Sequence, residues 1–234
     1  MGNPVFRGDL RARVGSRKIL AIEVFSLGVL GVLTFLGLPP ELAKVDVPQP
    51  AGLTAALLIV QSVLITYFAS ACAIGEIAVE GEKPAVDLSF APFAPAAIVT
   101  GKSQASLLTI LSWLLLGAPL VIFAARIRQE PVGGIIAVTA FIAVAAWAIA
   151  QIGILYSVLF ESEFSRMLAH WGTLLVIFVG TLALPAPLRL VNPVGIAAHP
   201  AEMGTLWFAC AAYGAVGVLA DSMAVIALRR FASA

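Results

Sequence analysis

The sequence predicts an all-α membrane protein built on six transmembrane helices. Three observations carry that expectation. First, 61% of the 234 residues are hydrophobic and 12% are charged, with a mean hydropathy of +1.02. A soluble domain carries about 25% charge, so lipid rather than water must solvate most of this surface. Second, six apolar runs approach the roughly 20 residues that a helix needs to cross hydrocarbon. They cover 19–38, 53–74, 105–125, 132–160, 167–184 and 205–228. Third, charges and prolines collect mainly between the runs, where chain must turn in water or headgroups.

The elements follow in order. Residues 1–18 are basic, with Arg7, Arg11 and Lys18 at helical intervals and Leu10 and Val14 between them. Two forms suit this segment: an amphipathic helix on the inner leaflet, or a positively charged flank without structure. The first apolar run has no small-residue cleavage site in a suitable context and is expected to be a retained helix. Residues 39–52, with Pro39, Pro40, Pro48 and Pro50, read as a short outer loop. Residues 75–104 form the long polar loop. Residues 126–131 and 161–166 are tight turns, and the fourth run between them is long enough to tilt or to leave the bilayer. Segment 185–204 is apolar yet broken by Pro185, Pro187, Pro193 and Pro200. Such a segment is expected to dip back into the outer leaflet as short helices, because uncovered irregular backbone is costly in lipid. The division is thus an interfacial segment, 1–18, and a six-helix membrane domain, 19–234.

Basic residues set the expected orientation. With the N-terminus inside, Arg7, Arg11, Arg13, Arg17, Lys18, Lys83, Lys102, Arg166, Arg229 and Arg230 face the cytosol, against Lys44, Arg126, Arg128 and Arg189 outside. Ten against four predicts two cytosolic termini.

Several chemistries find no support. The 234 residues contain no HExxH, no GxSxG and no P-loop, so neither a zinc hydrolase, a serine hydrolase nor ATP hydrolysis is expected of this chain. His170 and His199 fall on opposite membrane faces and cannot share a metal. Cys72 and Cys210 sit inside apolar runs as packing residues. A net charge of +1 gives no field for nucleic acid. No bound cofactor is expected. Polar residues inside the spans are a different matter, because they are expensive there and tend to serve function. Asp221 is the deepest charge, two turns before Arg229 and about 12 Å from it along a helix. Asp221, Gln61 and Gln151 are candidates for a polar translocation path. The structural alternative is a carboxylate paired or hydrated within the bundle, with the two glutamines bonding between helices. Glu23, near the inner end of the first span, pairs or snorkels.

The long loop carries acidic Glu76, Glu80 and Glu82, then Pro84, then apolar Val86, Leu88, Phe90 and Phe93. Residues 85–90 have no helix breaker, Pro84 suits a first turn, and Pro92 and Pro95 end the stretch. A short helix with an acidic and aromatic face fits a groove on a partner; an ordinary interfacial loop is the other reading.

The same residues resemble the permease subunits of ABC-2 type transporters. Glu80, Glu82, Leu88, Pro92, Pro95, Gly101 and Lys102 match that family's loop pattern, E-x-E-x-G-T-x-x-L-L-L-x-T-P-L-S-P followed by G-K, with Pro92 and Pro95 one residue earlier than the pattern spaces them. Asn3-Pro4-Val5 with Arg7, Leu10, Arg11, Arg13 and Arg17 is similar to its opening N-P-x-x-x-R-E-L-R-x-R-x-x-x-R. Ser157 and Phe160 match an L-S-x-L-F pattern, and Asn192-Pro193-Val194 resembles the N-P turn before the last span. Departures are Pro84-Ala85 for Gly-Thr, Ala91 for Thr and Asp9 for Glu.

The resemblance implies a type V exporter-like permease fold, with an N-terminal interfacial helix, a cytosolic coupling helix and outer re-entrant helices. It implies two P-loop ABC ATPase subunits as partners, with ATP and Mg on them, and a second permease copy or paralogue in a prokaryotic plasma membrane. Glu80, Glu82, Val86, Asp87, Leu88 and Phe90 would contact the ATPase, and Arg7, Arg11 and Arg13 would lie at the interface. Export of a lipid, amphiphile or hydrophobic peptide is the expected activity. The alternative is a non-transporting membrane scaffold.

Overall fold

The structure, a computed structural model, describes residues 3–38, 52–74, 94–127, 129–185, 192–198 and 203–233. Of the described residues, 91% are helical and none lies in a strand. Helix α1 spans Pro4–Val14, α2 Arg17–Gly37, α3 Leu53–Ile74, α4 Pro95–Ile127, α5 Val132–Leu159, α6 Glu163–Phe178, α7 Pro193–Ala198 and α8 Met203–Ser233. A 3-10 turn, Gly180–Ala183, extends α6. Six helical stretches are long and apolar enough to cross a membrane: α2, α3, α4, α5, α6 with its 3-10 turn, and α8. The architecture is that of a multi-pass helical membrane protein.

Local chemistry explains most boundaries. Asn3 caps α1, accepting from the Val5 N–H at 3.0 Å, and Pro4 fills a first-turn position where its missing N–H costs nothing. Ser162 caps α6 through the Ser165 N–H. The α4–α5 turn uses Gln129 at φ 54, and the Glu130 N–H closes onto the Ala125 carbonyl at 3.0 Å. That is the left-handed close common at helix ends.

Three boundaries differ most from the hydropathy reading, the first being α6, which starts at Glu163, so residues 163–166 are helix and not turn. Helix α4 begins at Pro95, ten residues before the apolar run at 105, so residues 95–104 belong to a helix and not to the loop. Thr100, Lys102, Ser103 and Gln104 lower the local hydropathy there without breaking the helix, and Pro95 starts it. Helix α8 likewise continues past 228, because Arg229 and Arg230 are good helix formers.

Helices α3 and α5 form the centre. More than half of the apolar window of α3 is buried (56%), against 11% for α2, which therefore lies at the periphery. Helix α5 packs chiefly on α3 and α8. Its Ala143, Ala145, Ala146, Ala148 and Ala150 are buried, and such small residues let neighbouring backbones approach. Gly217 on α8 provides the seat for the Trp147 indole, which any side chain there would overlap. Helix α7 packs against α3 and α5.

Candidate functional site

Polar side chains in an apolar bundle mark where chemistry or coupling can occur, and two networks of them are anchored on α4. The first joins α1 to the start of α4. Asn3, besides capping its own helix, donates Nδ2 to the Ala97 carbonyl at 2.6 Å. Asp9 accepts from Arg13 Nε at 3.2 Å and pairs with Lys102 Nζ at 3.7 Å. The Arg13 guanidinium reaches on into the bundle, donating to Thr109 Oγ1 at 3.3 Å and Ser106 Oγ at 3.2 Å. Gly101 permits the approach: a Cβ there would stand 3.0 Å from the Phe6 nitrogen and from Val5 Cβ. Helix α1 is therefore fastened along one face to α4. Arg7 and Arg11 remain exposed on it. Arg13 departs from the interfacial expectation, being 9% exposed, because the α4 hydroxyls and Asp9 take up its donors.

The second network lies between α4, α5 and α8. Ser103 Oγ donates to Asp221 Oδ2 at 3.2 Å, and Trp147 Nε1 donates to Ser103 Oγ at 3.1 Å. In the amide orientation that satisfies both neighbours, Gln151 Nε2 donates to Asp221 Oδ1 at 2.7 Å and its Oε1 accepts from Trp147 Nε1 at 2.8 Å. Both carboxylate oxygens are thus held by neutral donors, and among the described residues no cation pairs with Asp221. A carboxylate within a span is costly even when hydrogen-bonded, so this network is the strongest candidate for a polar functional site in the membrane.

The sequence-predicted residues are distributed unevenly over these networks. Asp221 and Gln151 come together, whereas Gln61 does not join them. It is buried on α3, with Nε2 3.4 Å from the Leu114 carbonyl, beside a separate apolar cleft. The coupling residues Glu80, Glu82, Val86, Asp87, Leu88 and Phe90 lie outside the described residues, as does His199. His170 is buried, with Nε2 3.4 Å from Ser70 Oγ. One turn earlier on α6, Arg166 is buried, and its Nε and Nη1 have no hydrogen-bond partner among the described residues. Cys72 and Cys210 are free thiols, and the described residues contain no cluster able to hold a metal ion.

Asn192 repeats the device of Asn3. Its Oδ1 accepts from the Val194 N–H at 2.8 Å, capping α7, while Nδ2 donates to the Phe178 carbonyl at 3.0 Å and to Thr181 Oγ1 at 2.8 Å. An Asn-Pro pair thus starts a helix with one side-chain atom and ties it to a foreign helix with the other. Ser103, Ser106, Thr109 and Trp147 were not singled out by sequence reasoning as site residues. Their signal was available, since 103, 106 and 109 place three hydroxyls at helical spacing on a largely apolar helix.

These features define a class, a multi-pass all-helical membrane protein with two part-buried polar networks near one end of α4. No protein-family model matches the chain, and no curated protein matches it significantly in sequence.

Proposed function

We propose that the chain is the transmembrane permease subunit of an ATP-driven exporter of the ABC-2 type, with both termini cytosolic in a prokaryotic plasma membrane. One observation carries most weight. Two segments that carry ABC-2-like residues, the Asn3–Arg13 stretch and the start of α4 around Gly101-Lys102, meet directly, through Asn3 and Ala97, through Asp9 and Lys102, and through Arg13 with Ser106 and Thr109. Motifs far apart in sequence that combine into one docked unit support a shared role.

That unit suits coupling. The segment between α3 and α4 leads into α4 at Pro95. A load applied there by an ATPase moves α4 and the fastened α1 together, since their contact is polar and buried. Ser103 follows Lys102, so the same displacement reaches the Asp221 network and the packing of α8 on α5. Two packings of these helices are the bistable element that coupling requires. Two P-loop ATPase subunits, carrying ATP and Mg, and a second permease complete the machine. The weakly charged spans suit a lipid, an amphiphile or a hydrophobic peptide.

The test is Leu88→Asp combined with Phe90→Asp. The expected result is loss of ATPase co-purification from a permease that still inserts. Retention of the complex would remove the loop from the coupling role. Wild-type vesicles with bound ATPase but no ATP-dependent movement of lipid, peptide or drug would favour the scaffold reading instead.

A further inference from the structure

We propose that the cleft between α4 and α5 binds one acyl chain of a membrane glycerophospholipid, with the lipid phosphate at Arg126. This site stands independently of ATP-driven transport. The cleft encloses about 380 Å³, and its walls include Leu111, Leu115, Ile122, Ile135 and Ile136. That volume falls in the range of sites for small ligands, about 300–1,000 Å³.

The sequence builds the cleft with small residues and one helix interruption. Ala118, Ala140 and Ala143 leave space between the two helices. Pro119 lies inside α4 and supplies no N–H to the carbonyl of Leu115, one turn earlier. Gln61 contributes the one amide in the lining. It sits close to α4 because Gly117 makes room, a Cβ there standing 2.5 Å from Gln61 Nε2.

Two observations select a lipid chain as the occupant. Leu115 is 74% and Ile136 63% exposed, and both belong to membrane-spanning helices, so the cleft opens sideways where hydrocarbon is the medium. An apolar crevice there gains dispersion contacts from a chain and little from water. The charge lies at the right height. Arg126 is exposed in the last turn of α4, on the same face as Ile122. It stands about 6 Å beyond Ile122 and about 16 Å beyond Leu115 along the axis. Arg126 is the first charge after the apolar run 105–125 and directly precedes the turn into α5, which puts it at the edge of the span, at headgroup level. A phosphate at Arg126 therefore leaves its chain running down the cleft toward Leu115 and Gln61.

Photolabelling of the full chain in phospholipid nanodiscs, using a glycerophospholipid with a diazirine in its acyl chain, tests the site. The expected result is labelling concentrated on the cleft walls, at least about tenfold per exposed residue above Leu20, Val24 and Phe25 on equally lipid-exposed α2, a margin equivalent to about 1.4 kcal/mol. Ala140→Trp should abolish the excess and leave the α2 signal unchanged. Arg126→Glu should lower phospholipid labelling about fivefold, the scale of one exposed ion pair, and spare labelling by a diazirine fatty alcohol. Equal labelling of α2 and the cleft in the wild-type chain would mean surrounding lipid only and would overturn the proposal, with no variant needed. Efficient disulfide linkage of two copies through Ile136→Cys would overturn it as well, because a second copy would then fill the cleft.

Discussion

Lys102 and Ser103 are neighbours on α4, yet they serve two networks of opposite character. On the Lys102 side, a carboxylate, Asp9, meets two cations, Arg13 and Lys102. On the Ser103 side, the Asp221 carboxylate is held by a hydroxyl and an amide. The first is a fastener, since opposite charges hold α1 on α4 and each partner depends on the other. The second keeps a charge in the bundle without a cation to match it among the described residues. Fastening does not require that arrangement, which is why it is the better candidate for a site that acts.

Charge removal should therefore be costly on one side and cheap on the other. The largest effect is expected for Arg13→Ala, which leaves Asp9 without its closest cation. Lys102 still compensates Asp9, but the guanidinium bonds to Asp9, Ser106 and Thr109 are lost, and a hydrogen bond to a charged group is worth about 1.5–3 kcal/mol. Hydrogen exchange should show residues 4–14 losing protection while α5 keeps it; unchanged protection of α1 would mean that the pair is ornamental. Gly101→Val attacks the same docking by bulk, at about 1–3 kcal/mol, because backbone of α1 lies 3.0 Å from the new Cβ. It should release α1 with Arg13 intact, which separates steric from electrostatic fastening.

Asn192→Ala tests whether the Asn-Pro device holds a helix without any charge. A lost cap and a lost interhelical bond cost about 1–2 kcal/mol, read as a lower unfolding temperature. The smallest stability change is expected for Asp221→Asn. The amide keeps an acceptor for Ser103 but sets its NH2 against that of Gln151, a loss that removal of the charge from the bundle offsets, so the net cost should stay below about 1 kcal/mol. Transport, by contrast, should fall with unfolding temperature nearly constant. If Asp221→Asn unfolds the protein as readily as Arg13→Ala does, the two networks are alike and the second is structural.

The spans were legible because lipid imposes a simple rule on composition, and runs such as 53–74 coincide with their helix. The start of α4 was not, because hydropathy registers Thr100, Lys102 and Ser103 as loop, although Lys102 and Ser103 meet other helices and Thr100 bonds back to its own helix at the Ala96 carbonyl. Both Asn-Pro pairs and Gly101-Lys102 stood out as motifs. Their contact did not, since nothing in either segment encodes which distant helix face it meets. Asp221 and Gln151 were conspicuous as rare polar residues in apolar runs. Pairing them, and separating them from Gln61, required the parallel register of α5 and α8 that sets Trp147 against Gly217. Trp147 reads in sequence as one more large apolar residue, and its N–H acquires meaning only beside Ser103.

ATP hydrolysis by the complex purified from its native membrane bears most directly on the proposed role. The wild-type chain should carry with it a second polypeptide bearing a P-loop, and the eluate should hydrolyse ATP. The eluate of the Leu88→Asp, Phe90→Asp chain should lack both. A wild-type chain that elutes intact with no such polypeptide and no hydrolysis would contradict an ATP-driven permease.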